Sequence, residues 1–86
     1  MATEDHLMSI GEAAKRAEVS RQSVQYYIMV GLVEPTHVKS TGRRMFDQKA
    51  IDRIKLIKRL NLSGYPLRAI RELFIEGRKA GGPEHE

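Results

Sequence analysis

The strongest constraint on the fold is a pair of short helices that the chain separates by a tight break. Residues 9–12 have the Ser-x-x-Glu pattern of a capping box, and apolar residues follow at helical spacing as far as Ala17. Residues 18–19 interrupt that spacing. Ser20 can cap a second helix with an apolar side, and Gly31 suits its C′ position. Two short helices joined by a turn of three or four residues predict a helix-turn-helix.

The segment after the second helix predicts a small β-hairpin. Pro35 favours extended backbone at the residue before it. Residues 36–38 and 44–46 have the composition of two short strands, and the polar run 39–43 between them ends in turn residues. The hairpin has a basic tip, so it is expected to form a wing beside the helix-turn-helix.

Two further helices are predicted in the second half of the chain. Asp47 can cap a third helix that carries isoleucines at helical spacing and ends near Gly64. Pro66 suits the first turn of a fourth helix, which has apolar residues as far as Phe74. Glycine and proline from Gly77 onward predict the end of regular structure. The expected fold class is mostly α, a winged helix-turn-helix with a small two-stranded wing and a second helical pair.

The length and the absence of cysteine exclude several classes of protein. A chain of 86 residues forms one domain at most. The expected organisation is a disordered segment at 1–8, the winged helix-turn-helix domain at 9–75 and a flexible segment at 76–86. There are no cysteines, which excludes disulfides and thiolate metal sites in this chain. The three histidines lack partners at ligand spacing, so neither a metal nor another cofactor is expected.

Other sequence signals are missing as well. No apolar stretch approaches the roughly 20 residues that cross a bilayer, and the short acidic N-terminus does not resemble a signal peptide. A cytoplasmic location is therefore expected. The sequence shows no nucleophile–base pair and no phosphate-binding glycine loop, so we do not expect an enzyme.

The distribution of charge favours a polyanionic partner. Fifteen Lys and Arg residues outnumber eleven Asp and Glu residues, which gives a formal net charge of +4. The two ends are acidic and the middle of the chain is basic. The positive charge therefore belongs to the folded part rather than to a tail.

The outer side of the second helix is a candidate surface for reading DNA. It carries Arg21, Gln22, Gln25, Tyr26 and Met29 and no acidic residue. Arginine and glutamine recognise guanine and adenine edges in the major groove, and a tyrosine hydroxyl can reach a phosphate. The alternative interpretation is an ordinary solvated helix face.

The predicted wing supplies candidate contacts to the DNA backbone. Lys39, Arg43 and Arg44 cluster around the glycine-containing tip, and His37 lies nearby. Cations here can reach phosphates or an adjacent minor groove. For Arg44 the alternative is an ion pair with Glu34 or Asp47, and for the histidine it is an ordinary surface position.

The third helix carries a second group of cations with two interpretations. The group consists of Arg53, Lys55, Lys58 and Arg59. It could follow a flanking phosphate backbone. A solvated helix face is the alternative, and the sequence slightly favours it.

Several motifs, in order along the chain, resemble the N-terminal DNA-binding domain of MerR-type transcriptional regulators. They are Ser9-Ile10-Gly11-Glu12-Ala13-Ala14, Val19-Ser20, Tyr26-Tyr27, Gly31-Leu32-Val33, Pro35, Gly42-Arg43-Arg44-Met45-Phe46 and Gly64-Tyr65-Pro66-Leu67-Arg68-Ala69-Ile70. The resemblance implies that residues 20–27 enter the major groove and that the hairpin makes a wing contact. It also implies DNA contacts from Tyr26 and Arg44, and a role for Tyr27 that is half core and half contact.

The resemblance, together with the residue patterns, defines an expected binding site and its partners. The predicted DNA-binding residues are Ser20, Arg21, Gln22, Gln25, Tyr26, Tyr27, His37, Lys39, Arg43 and Arg44. Family members bind near-palindromic promoter operators as dimers. The implied partners are therefore double-stranded DNA, RNA polymerase at a promoter and, where a C-terminal dimerisation helix is present, a second copy of the chain.

The sequence departs from the family pattern at four positions. Gln25 stands where an arginine is usual, Ile28 replaces an acidic residue, Glu18 replaces a turn glycine, and Arg43 replaces an aromatic residue of the wing. The change at position 25 removes one expected backbone contact or ion pair. The added cation at position 43 can compensate for it.

Two alternatives follow from the lack of a heptad run after Phe74. The chain could be a domain of a longer regulator or a minimal excisionase-like or architectural DNA-binding protein without an effector domain. A protein–protein interaction module is a further alternative, because a helix-turn-helix with an exposed tyrosine and methionine can bind another protein. Salt distinguishes the last from the others, because DNA binding through Lys and Arg weakens steeply with salt and an apolar protein interface does not.

Overall fold

The computed structural model describes residues 7–80, and it has the winged helix-turn-helix that the sequence predicts. The elements in chain order are β1 (Met8–Ser9), α1 (Ile10–Ala17), α2 (Arg21–Met29), β2 (His37–Val38), β3 (Arg44–Phe46), α3 (Gln48–Leu62) and α4 (Leu67–Ala80). The mostly helical class and the basic hairpin are confirmed. No helix within 7–80 is long and apolar enough to cross a membrane.

The first helix begins and ends where the capping pattern and the break predict. The Oγ of Ser9 accepts a hydrogen bond of 3.2 Å from the backbone N–H of Glu12. The Glu12 carboxylate accepts a bond of 2.9 Å from Nε of Arg16, one turn further on. Glu18 ends the helix in the left-handed conformation, at φ +60°. This conformation turns the chain sharply into α2.

The second helix is also closed at both ends. The Oγ of Ser20 accepts from the backbone N–H of Ser23 at 3.0 Å, which confirms the predicted N-cap. At the other end Gly31 has φ +83°, and the N–H of Leu32 donates to the carbonyl of Tyr27 at 2.8 Å. A glycine is favoured at this position because it adopts a positive φ without a steric penalty.

The sheet has three strands, one more than the sequence predicts. Its order is β1-β3-β2, with both pairings antiparallel. Met8 pairs with Phe46, and His37 pairs with Met45 on the other side of β3. The prediction that the loose N-terminal segment extends to residue 8 is therefore wrong at Met8. Two residues are too few to show an alternating pattern, so the sequence contains no local signal for this strand.

The second helical pair is confirmed, with two corrections in α4. Oδ1 of Asp47 accepts from the N–H of Ala50 at 2.9 Å and caps α3. The first correction is that Pro66 lies just before α4 rather than in its first turn. Its carbonyl accepts from the N–H of Ile70 at 3.1 Å. The helix continues through Gly77 to residue 80, beyond the predicted boundary at 75. A glycine inside a helix costs about 1 kcal/mol relative to alanine, but it keeps both backbone hydrogen-bonding groups. Residues 1–6 and 81–86, the remaining parts of the segments predicted at 1–8 and 76–86, lie outside the described residues.

One core joins all four helices to the sheet. Its buried members are Ala13, Ala14, Ala17, Val24, Tyr27, Leu32, Val33, Phe46, Ile51, Ile54, Ile57 and Ile70. The members from α1 are all alanines, which allow α2 and α3 to approach that helix closely. The core therefore fixes α2 with its polar side facing outward.

Candidate nucleic-acid interface

The polar side of α2 is exposed as the sequence predicts. Arg21, Gln22 and Gln25 are exposed, and Tyr26 and Met29 keep 46% and 74% of their surface accessible. The helix contains no acidic residue. These side chains form one continuous surface of hydrogen-bonding groups on a helix that can enter a major groove. We call this surface the α2 face.

Two of the residues predicted to contact DNA have structural roles. The hydroxyl of Ser20 caps α2 and also donates to Oγ of Ser23 at 2.9 Å. Tyr27 is a core residue that exposes 7% of its surface, and burial raises the pKa of its phenol above the usual value. The core half of its predicted role is confirmed. A contact with DNA would have to be made by the small part of the phenol that remains accessible.

Arg21 lies at the junction of the two helices of the helix-turn-helix. A Cβ placed on Gly11 would be 2.7 Å from Nη2 of this arginine. The guanidinium therefore lies against the first turn of α1, while the residue as a whole stays exposed. No motif in the sequence pairs these two positions.

The wing presents its cations at a tight turn. The N–H of Lys39 donates to the carbonyl of Arg43 at 2.8 Å, and the N–H of Gly42 donates back to the carbonyl of Lys39 at 2.7 Å. Gly42 has φ +89°, which accounts for a glycine at this position. Lys39, Arg43 and Arg44 are exposed, and so is His37.

The alternative interpretation of Arg44 as an ion-pair partner is wrong for the part of the chain that is described. The ion pair found among the side chains of residues 7–75 joins Arg16 to Glu12. Asp47, one of the two candidate acids, accepts instead from the backbone N–H of Ala50 as the cap of α3. The Arg44 guanidinium is therefore exposed on the wing without an acidic partner among residues 7–75.

Two of the four cations on α3 are anchors within the domain. Nε of Arg53 donates to the carbonyl of Leu32 at 2.6 Å, and its guanidinium carbon lies 4.2 Å from the ring centroid of Phe74. Nζ of Lys58 donates to the carbonyl of Glu18 at 2.7 Å. Both acceptors are backbone groups far away in sequence, which explains why the helical pattern gave no signal for them.

The other two α3 cations remain at the surface. Lys55 and Arg59 are exposed and line a groove of about 320 Å³ together with Lys58 and the C-terminal end of α1, including Arg16. The groove contains a single acidic side chain, Glu18. This second basic surface is separate from the α2 face, and its form is compatible with both interpretations made from the sequence.

The described side chains of residues 7–75 contain no metal-binding geometry. No group of three or more His, Cys, Asp or Glu side chains in that range could hold a metal ion. What the arrangement offers chemically is hydrogen-bonding groups and positive charge on an exposed surface. Such a surface is suited to a polyanion with readable base edges.

Fold and surface together define a winged helix-turn-helix domain, and the family follows from comparison. The family model for the MerR HTH family of regulatory proteins matches residues 8–76. This chain belongs to that family.

Curated relatives cover the same segment. The chain is 34% identical over 64 residues to the mercuric resistance operon regulatory protein of Bacillus cereus. That match covers 74% of this chain and 48% of the relative. The chain is also 34% identical over 73 residues to the HTH-type transcriptional regulator AdhR of Bacillus subtilis, a match that covers 81% of this chain and 52% of the relative. The chain thus spans about half the length of the curated relatives it matches.

Solved structures give the same fold. The transcription regulator PbrR691 from Ralstonia metallidurans, solved in complex with lead(II), matches with a TM-score of 0.75 and 29% identity over 87% of this chain and 58% of that one. HiNmlR, a MerR family regulator lacking the sensor domain and bound to promoter DNA, matches with a TM-score of 0.75 and 24% identity. This match covers 88% of this chain and 60% of that one. At this identity the match to HiNmlR shows similarity of fold alone.

Proposed function

We propose that this chain binds double-stranded DNA in a sequence-specific manner, as the DNA-binding part of a transcriptional regulator. The observation that carries the proposal is the combination of the acid-free α2 face with a basic wing on the same rigid domain. Family membership supports it, since the curated relatives are named as regulatory proteins and one structural neighbour was solved on promoter DNA. With this function we expect a cytoplasmic location and no catalytic activity.

In this proposal α2 lies in the major groove. Gln22 and Gln25 can each make two hydrogen bonds to an adenine edge, and Arg21 can do the same with guanine or bind a phosphate. Tyr26 has its hydroxyl at the exposed side of the helix, where a phosphate can accept from it. These residues supply sequence preference.

The wing holds the DNA backbone. Lys39, Arg43 and Arg44 present three positive charges within a span of six residues, and His37 adds a hydrogen-bonding group at the base of the hairpin. Contacts to phosphate fix the register of a protein on the duplex without reading its sequence. The wing therefore contributes affinity for any duplex.

Dimerisation and a contact with RNA polymerase follow from the family resemblance alone. The residues that the structure describes test neither of them, and this chain covers about half of its curated relatives. Both stay predictions for the complete regulator.

The test is an NMR amide-shift titration of the 86-residue chain with a mixed-sequence duplex at two salt concentrations. We expect shifts concentrated in residues 20–27 and 39–46 that weaken as salt rises, because each phosphate neutralised lowers the log–log salt slope by about 0.9. A folded domain whose two segments do not respond to DNA would contradict the proposal. Saturable shifts with an added protein partner that are insensitive to salt would favour the interaction module instead.

A further inference from the structure

Gly11 stands where the backbone does not need a glycine. It is the second residue of α1, and the glycines with positive φ among residues 7–80 are Gly31, Gly42 and Gly64. At an ordinary helical position alanine is more favourable than glycine. The missing side chain therefore has a cost that the local conformation does not explain.

The space left by Gly11 is filled by the guanidinium group of Arg21. A Cβ at position 11 would lie 2.7 Å from Nη2, 3.5 Å from Cζ and 3.6 Å from Nε of this arginine. These three atoms belong to one planar group. The guanidinium therefore lies close against the Cα of the glycine, across the junction between α1 and α2.

No ion pair among the described side chains of residues 7–75 fixes the direction of Arg21. The acid in the first turn of α1, Glu12, is bonded to Arg16 at 2.9 Å, and α2 has no acid in its first turn. The contact with Gly11 is thus what the structure offers to orient the guanidinium at the start of the α2 face.

We propose that Gly11 is a positioning residue for Arg21: it leaves room for the guanidinium to lie against the first turn of α1, in the orientation from which it contacts DNA. This inference rests on the proposed function, because it assigns a role to a residue of the α2 face. It adds a residue of α1 that touches no DNA itself but determines what Arg21 can reach.

The geometry predicts how Gly11→Ala behaves. The new methyl group would contact the far end of a flexible side chain, so the arginine moves and the backbone does not. Alanine also favours the helix. We therefore expect an unchanged or higher thermal midpoint, together with affinity for a mixed-sequence duplex reduced by roughly tenfold, as for one lost charge-assisted contact.

The experiment is a double-mutant cycle with Gly11→Ala, Arg21→Ala and the double variant, measured by fluorescence anisotropy on one duplex. Gly11→Ala should lower affinity in the wild-type chain and have no effect in the Arg21→Ala background. Gly77→Ala, which replaces a glycine within α4, controls for the general effect of alanine in a helix. Equal loss in both backgrounds, or loss in neither, would overturn the proposal.

A second readout separates this inference from the proposed function. In the free protein the Nε–H resonance of Arg21 should be ordered, with a clear heteronuclear NOE, and should lose that order in Gly11→Ala. If the order is lost but no variant binds DNA, the packing is correct and the proposed function fails. If the resonance is mobile in the wild-type chain, the positioning role is wrong whatever the chain binds.

Discussion

Lys58 of α3 donates a hydrogen bond of 2.7 Å to the backbone carbonyl of Glu18, the residue that joins the two helices of the helix-turn-helix. Glu18 itself has φ +60°, a conformation that side-chain-bearing residues adopt at a cost. The side chain of Lys58 thus links α3 to the turn between α1 and α2. The contact joins distant parts of the chain at the turn that precedes the α2 face.

Replacing Lys58 by methionine should lower the free energy of unfolding by about 1 kcal/mol. The substitution keeps most of the apolar stem and removes the bond to the Glu18 carbonyl, and a bond of this kind contributes about that much. Urea denaturation measures the change. Lys55→Met, at an exposed position on the same helix, is the matched control, and an equal effect of both variants would contradict a specific role for Lys58.

Replacing Glu18 by glycine should stabilise the domain by about 1 kcal/mol, because glycine adopts a positive φ without steric cost. The bond from Lys58 is made to the backbone and survives the change. Lys15→Gly, three residues earlier inside α1, should instead destabilise by about 1 kcal/mol. Thermal and urea unfolding of the two variants should therefore shift in opposite directions, and a shift of the same sign would show that the left-handed turn is not strained.

Arg53→Met should destabilise the domain by about 2–3 kcal/mol. The change removes the bond to the carbonyl of Leu32, a buried residue, and the stacking of the guanidinium over Phe74. Arg59→Met, at an exposed position on the same helix, should change stability by less than about 0.5 kcal/mol. Chemical denaturation compares the two, and similar values would mean that the Arg53 contacts add nothing to the fold.

The stability of the domain should fall at alkaline pH in a way that depends on Tyr27. Burial raises the pKa of this phenol above its usual 10.0. Above pH 10 the unfolded chain loses a proton that the folded chain keeps, so the free energy of unfolding decreases as pH rises toward the folded pKa. The contribution is fully present below pH 10.

Tyr27→Phe should remove this part of the alkaline loss. The unfolding free energy of the wild type minus that of the variant should therefore decrease between pH 8 and pH 11. Tyr26→Phe replaces the exposed tyrosine beside it and is the matched control. If the unfolding free energies of both variants depend on pH in the same way, the alkaline loss of stability does not come from Tyr27.

Substitutions on the α2 face and on the wing should affect DNA binding in different ways. Gln22→Ala and Gln25→Ala should change the preferred sequence by about 1–3 kcal/mol if a bidentate base contact is lost. Arg44→Ala should weaken binding to every duplex by a similar factor and reduce the salt slope by about 1. Competition with a randomised duplex pool distinguishes the two effects, and uniform loss for all three variants would contradict the division of roles.

Much of the local structure could be predicted because its causes lie within a few residues. Ser9, Ser20 and Asp47 each cap a helix three residues before the N–H that they accept from, so the pattern is visible in the sequence. The isoleucines of α3 recur at helical spacing, and Gly31 marks a helix end. The same periodicity placed the exposed side of α2.

Other features depend on residues that only the folded chain brings together. The pairing of Met8 with Phe46, the bond from Lys58 to Glu18 and the contact of Arg21 with Gly11 have no local pattern. At Gly77 the local pattern was misleading: the glycine predicted a helix end, but α4 continues past it to Ala80.

The sequence by itself therefore determined where helices begin, which faces are apolar and where positive charge lies, because capping and periodicity act over one or two turns. Only the tertiary structure decided which cations are free to meet a partner. Arg53 and Lys58 bond to backbone carbonyls 21 and 40 residues away, whereas Arg44 reaches no acid among the described side chains of residues 7–75. The physical reason is that a long side chain bonds to whatever acceptor the packing places within its reach, and packing is set by the whole core.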